Sequence, residues 1–182
     1  MPGLPEGYRL EMVNDPAVLG RIFALRVAAW RKRNRTFPDI GLWTDPFDEG
    51  ALHWAVQSGR GEIVAAARMT LHDGIGQVPD AEIYPPAVLD LTGSVASINR
   101  LVVCPTMAGR GLVAALDDAR IEKARSEGCR WVLGATLAGP RRLAAAKAAG
   151  FVNMGNTRPY RSGPLSTTTG QSTVILLELT PS

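Results

Sequence analysis

Residues 94–128 read SVASINRLVVCPTMAGRGLVAALDDARIEKARSEG, and the way this stretch divides decides the fold. Its first ten residues, 94–103, are apolar and β-branched enough to form a strand. From Gly111 to Gly128 the period changes to that of a helix. Leu112, Ala115, Leu116 and Ala119 share one stripe, and Gly128 closes the run. Between strand and helix lie Pro105 and the small-residue loop Gly109-Arg110-Gly111. Such a loop is either a tight turn or a seat for a phosphate. A helix start leaves N–H groups without partners and carries partial positive charge. Glycines let backbone approach an anion closely, and Arg110 adds a full charge. A Gly-x-Gly alone does not choose between the two. The chain has no Gly-x-x-x-x-Gly-Lys-Ser/Thr loop, and the dinucleotide pattern lacks its third glycine.

Residues 8–13 (YRLEMV) alternate as a first strand. Asp15-Pro16 starts a helix that runs to about Arg33, with Val18, Ile22, Leu25 and Ala29 at helical spacing. Residues 35–50 are rich in Pro, Gly and Asp and read as a loop. ALHWAVQS and EIVAAARMTLH, separated by GRG at 59–61, read as an antiparallel hairpin. Residues 73–93 are irregular, with one helical turn near Pro86. CRWVLGAT is a strand, and PRRLAAAKAAG is a helix from Pro140 to Gly150. FVNMGN and 172–179 (STVILLEL) are the last two strands, with a polar, turn-rich loop between them. The order β-α-β-β-β-α-β-α-β-β predicts a mixed α/β sheet with helices on both faces. The strand–helix–strand alternation in the second half predicts parallel neighbours there.

A length of 182 residues suggests one domain spanning 1–182, and 46% hydrophobic with 20% charged residues provides a real core. A net charge of +3 is too weak and scattered to argue for nucleic acid, and it suits a small polyanionic ligand. The apolar runs are too short to span a bilayer, so no membrane partner is expected. The N-terminus has no basic stretch followed by an apolar core. Cys104 and Cys129 make no disulfide framework and no His/Cys cluster has metal spacing, so no metal is expected and a cytoplasmic location fits.

INRLVVCPTMAGRGLVAALDDARIEKARSEGCRWVLGAT, followed by RRLAAAKAAGFVNMG, resembles the acyl-CoA-binding core of the GNAT superfamily of N-acyltransferases. The carrying residues are Leu101-Val102-Val103, Pro105, Gly109-Arg110-Gly111, Leu116 and the AAGF of 148–151. The first half is similar to a branch with Leu25-Arg26 in the first helix, spaced Asp45, Asp48, Ala51 and His53, and Ala67-Arg68 ending the hairpin. The resemblance implies that the strand Leu101, Val102, Val103 splays from its neighbour and offers backbone to the pantetheine arm. It implies that Ala108, Gly109, Arg110, Gly111, Leu112 and Val113 receive the pyrophosphate of acetyl-CoA or another acyl-CoA. The sequence departs from the family at Ala108, commonly Arg or Gln, at Val113, commonly Gly or Ala, and at Ala146, where many members carry a tyrosine as general acid for the leaving thiolate.

The implied reaction is transfer of an acetyl or other short acyl group to a small-molecule amine by direct attack, with Val103 N–H polarising the carbonyl. Asp48 and Tyr160 are the candidate catalytic side chains; Asp48 could equally cap a turn. His53 reads as a half-buried strand histidine, and Arg26 and Arg68 as ion-pair partners or holders of a substrate carboxylate. The tryptophans read as core or pocket wall. Two alternatives stay open: a longer-chain enzyme like the acyl-amino acid or acyl-homoserine lactone synthases, and a non-catalytic acyl-CoA sensor. Ser97, where the lactone synthases usually carry Glu, argues against the lactone synthases. A homodimer is compatible with the reading.

Overall fold

A computed structural model describes residues 4–33, 37–137, 139–159, 161–162, 165–166 and 172–180. The strands form one seven-stranded mixed sheet, in the order β1-β2-β3-β4-β5-β9-β6, and a separate two-stranded ribbon, β7-β8. Contacts group the chain into two compact units, Met1–Met69 with Arg100–Asp117, and Thr70–Asn99 with Asp118–Ser182.

In the first unit β1 (Tyr8–Val13) pairs antiparallel with β2 (Leu52–Ser58), and β2 with β3 (Ile63–His72). The hairpin read across Gly59-Arg60-Gly61 is therefore present. The helix α1 (Pro16–Arg33) starts where the sequence placed its cap, because Asp15 Oδ1 accepts from Ala17 N at 2.9 Å and Val18 N at 3.0 Å. Its stripe buries Ile22 and Ala29 in a cluster with Val13, Ala55, Ala66 and Val102. Ala55 and Ala66 are fully buried; their small side chains let the helix lie close to the strands.

The strand β4 (Val95–Val103) gives its last four residues to this unit, and Cys104 N–H donates to Val64 O at 2.7 Å just beyond its end. The helix α3 (Leu112–Ser126) begins in the first unit, with Leu112 and Leu116 buried.

In the second unit β4 runs parallel to β5 (Trp131–Thr136), from Val95↔Trp131 to Ile98↔Gly134. Gly134 is required there, since a Cβ would lie 2.9 Å from the Ile98 side chain and 3.1 Å from its carbonyl oxygen. After β5 come α4 (Pro140–Ala148) and β6 (Val152–Asn156). The expected parallel neighbour for β5 on this side is not β6. The final strand, β9 (Thr173–Glu178), lies between them and is antiparallel to both. Burial gives the reason. Val174, Ile175 and Leu176 of β9 are buried, whereas four of the five residues of β6 are exposed, so β6 takes the edge.

The 73–93 segment is mostly irregular, as expected, yet it carries core. Two short 3-10 turns and α2 (Pro86–Leu89) place Ile75, Val78, Ile83, Tyr84 and Val88 against Val95, Trp131, Leu133, Val174 and Leu176. The polar loop between β6 and β9 contains the small hairpin β7 (Arg161–Ser162) and β8 (Leu165–Ser166), where a loop alone was expected.

Candidate active site

The strand–loop–helix passage expected to hold the acyl donor is continuous within the first unit. After β4 the chain makes a 3-10 turn at Pro105–Met107, and Ala108 is extended. Gly109 (φ +81°) and Gly111 (φ +76°) are both left-handed, which accounts for glycine at each. Open space surrounds both; a Cβ on either would have no atom within 4 Å. Ala115 N–H makes a helical bond to Gly111 O at 3.2 Å, so the N–H groups of the preceding turn face out of the helix end beside this loop. Arg110 is exposed and reaches Tyr8 Oη at 3.4 Å. The Tyr8 hydroxyl donates to Met107 Sδ at 3.5 Å, so β1 braces the start of the loop. Of the strand residues, Val102 packs in the α1 cluster, while Leu101 and Val103 are half-buried.

The two aspartates of the 35–50 loop build a second, drier cluster. A 3-10 turn at Pro46–Asp48 is closed by a reciprocal cap. Asp45 Oδ1 accepts from Phe47 N at 3.0 Å, and Asp48 Oδ2 accepts from Asp45 N at 2.9 Å. Arg26, from α1, grips both Asp48 oxygens at 2.9 Å and donates to Trp43 O at 3.2 Å. Arg68, from β3, reaches Asp45 Oδ1 at 2.6 Å and Asp48 Oδ1 at 3.0 Å. Arg100, from β4, donates from Nε to Asp45 Oδ2 at 2.9 Å and again from Nη2, and its guanidinium lies 4.4 Å over the Trp43 ring. The result is a ladder, Arg26–Asp48–Arg68–Asp45–Arg100. His53 is buried beside it, with Nε2 3.4 Å from Asp48 O and its ring edge-on to Phe23.

Burial pushes the Asp48 carboxyl up, but the hydrogen bonds and charge of Arg26 and the charge of Arg68 outweigh it and hold the group at about 2. Asp45 balances the same way: burial raises it, and the Arg68 hydrogen bond and Arg100 charge leave it below the ordinary carboxylate value. Burial lowers His53 despite its bond to Asp48 O, so the ring stays neutral. A carboxylate this acidic, with both oxygens engaged and a side chain only 7% exposed, is a weak proton acceptor at neutral pH. The geometry gives Asp48 the capping role weighed for it and gives Arg26 and Arg68 their ion-pair partners. Among the described residues no group of three His, Cys, Asp or Glu side chains could hold a metal ion. Tyr160 lies outside the described residues. Arg100 and Trp43 are members of the cluster that sequence patterning did not assign. Arg100 is 55 residues from Asp45, and no local signal joins them.

A family model for the acetyltransferase (GNAT) family matches residues 21–151. Among curated proteins the sequence has no match. Among solved structures the chain is similar to one from the NatC complex bound to Gag peptide and CoA, with 16% identity and a TM-score of 0.65, covering 95% of this chain and 99% of that one. It is also similar to the ribosomal-protein-S18-alanine N-acetyltransferase of Escherichia coli, with 13% identity, a TM-score of 0.63 and 96% of each chain covered. A Bacillus subtilis acetyltransferase in complex with CoA aligns with 12% identity and a TM-score of 0.60, over 95% of this chain and 99% of that one. At these identities the likeness is one of fold.

Proposed function

The chain belongs to the acetyltransferase (GNAT) family and is an acyltransferase, and from that premise we propose that it moves an acetyl or other short acyl group from acyl-CoA to a small-molecule amine. The observation that carries the proposal is the loop at 108–111: two left-handed glycines in open space and an exposed arginine at the start of a 15-residue helix. That combination suits a pyrophosphate. The NatC and Bacillus subtilis structures, each with CoA, support the choice of ligand.

In this reading the N–H groups of residues 108–113 and the Arg110 charge hold the pyrophosphate. The backbone of Leu101–Val103 pairs with the pantetheine arm, and Val103 N–H polarises the thioester carbonyl. The amine nitrogen attacks that carbonyl, its bond to sulfur breaks, and in net the amine loses one proton and the departing thiol gains one. We keep Tyr160 as the general acid: its hydroxyl proton goes to the departing thiolate, and the proton lost by the amine restores it. Asp48 serves the reaction by fixing the cluster rather than by accepting a proton, because Arg26 and Arg68 already claim its oxygens. The free thiols of Cys104 and Cys129 fit a reducing cytoplasm.

Release of free thiol from acetyl-CoA across a panel of amines is the test. The proposal expects amine-dependent release with intersecting initial-rate lines, the pattern of a ternary complex. Parallel lines would replace direct attack by an acyl-enzyme. No release with any amine would remove the transfer reaction.

A further inference from the structure

Arg100 is in the wrong backbone conformation for its side chain. It lies within β4 with φ +52°, and it and Asp80 are the two non-glycine residues at positive φ among those described. Such a residue is strained and persists only where its surroundings over-determine it. Glycine would relieve the strain, so an arginine here must hold its place through its side chain.

That side chain is held on two sides. Nε and Nη2 both donate to Asp45 Oδ2, and the guanidinium carbon lies over the buried Trp43 ring, 4.4 Å from its centroid. The anchor is itself fixed, since the other Asp45 oxygen takes Arg68 Nη1 and Phe47 N–H. Immediately after Arg100 come Leu101–Val103, the backbone assigned above to the acyl donor. Their far end is pinned by Cys104 N–H on Val64 O. At the near end, the parallel register of β4 with β5 ends at Ile98.

We propose that Asp45 and Arg100 are positioning residues for the acyl donor: the ion pair holds Arg100 left-handed, and that turn sets the course of Leu101–Val103. The inference rests on the reading of Leu101–Val103 as the acyl-CoA strand. Neither side chain touches the donor in this scheme; both act through the backbone.

The sign of a Gly-versus-Ala comparison separates this from an ordinary ion pair. At a regular strand position glycine is worse than alanine, whereas at positive φ it is better. Calorimetric titration with acetyl-CoA would compare the parent, Arg100→Ala, Arg100→Gly, Asp45→Asn and the double variant Asp45→Asn/Arg100→Gly, each first shown by thermal melt to be folded. Arg100→Ala should weaken binding about tenfold, the scale of one strained backbone residue, and Arg100→Gly should stay within about threefold of the parent. Asp45→Asn should cost several-fold in the parent and add almost nothing on the Arg100→Gly background, because the turn then needs no anchor. Arg100→Gly binding no better than Arg100→Ala, or Asp45→Asn costing the same in both backgrounds, would overturn the inference alone. If Arg100→Ala does not fold, the two Asp45→Asn comparisons decide. A parent that does not bind acetyl-CoA would overturn the acyl-CoA reading and this inference with it.

Discussion

Two stretches of the first unit use arginine in opposite ways. Around Asp45 and Asp48 three guanidiniums and two carboxylates are packed almost dry, with the Arg26 and Arg68 side chains 1% exposed. At 108–111 a single arginine stands in solvent between two glycines with open space around them. In the first stretch the chain itself supplies the partners, so charge serves to lock α1, β3 and β4 onto one loop. In the second, Arg110 makes one long side-chain contact among the described residues, to Tyr8, and the charge is available to a ligand. A motif rich in charge is therefore not the better candidate for chemistry. What matters is whether its partners already belong to the chain.

The contrast can be broken at either end. The largest effect is expected from Arg26→Ala. Removing Arg26 strips Asp48 of its bidentate partner in a dry site and leaves Arg68 as its one remaining cation in the ladder, at a cost of about 3 kcal/mol. For a chain of this size that lowers the melting temperature by roughly 10 °C. A drop of a degree or two would mean that the ladder is solvated and that the dry description is wrong.

Acid should act next, in two stages. His53 is held below its ordinary value by burial, so its neutral form belongs to the folded state. Its contribution is complete above the unfolded value of 6.5 and declines as the pH falls below it. His72, also lowered by burial, adds to the same stage. Asp48 sits at about 2 against 3.8, so its contribution is complete above the unfolded value and is lost as the pH falls from about 4 towards 2. That second stage is worth about 2 kcal/mol from Asp48. Denaturant melts between pH 8 and pH 2 would show it, and His53→Gln should shrink only the first stage. Stability that rises on acidification would contradict both assignments.

Arg110→Glu should do the reverse of Arg26→Ala. The exposed substitution should leave the melting temperature within about a degree, since surface changes are usually worth under 0.5 kcal/mol. Reversing the charge at the anion seat should weaken acetyl-CoA at least tenfold, about 1.4 kcal/mol, and more so at low salt. A tenfold loss accompanied by a large fall in melting temperature would put Arg110 in the same class as Arg26.

Much of this architecture was legible because it is local. The Asp15 cap, the Gly59–Gly61 hairpin turn, the stripe of α1 and the break at Gly109–Gly111 each follow from spacing within a few residues. The position of β9 was not, because it depends on which of two strands has more apolar surface to bury, a comparison across twenty residues. The ladder was half legible. Arg26, Asp45, Asp48, His53 and Arg68 are marked by the resemblance to one branch of the family, but their mutual geometry is tertiary. Arg100 could not be added, since an arginine in a strand gives no sign of a left-handed backbone and its partner is distant in sequence. The β7–β8 hairpin has only two residues per strand and leaves no periodicity to read.

The most direct test of the central claim is a calorimetric titration of the parent protein with acetyl-CoA beside one with pantetheine, which lacks the nucleotide and pyrophosphate. Acetyl-CoA should bind saturably and one-to-one, pantetheine should be weaker by at least a hundredfold, about 2.7 kcal/mol, and the affinity for acetyl-CoA should fall with added salt. Equal affinity for the two, or no binding of acetyl-CoA at millimolar concentration, would mean that the glycine–arginine–glycine loop is only a turn.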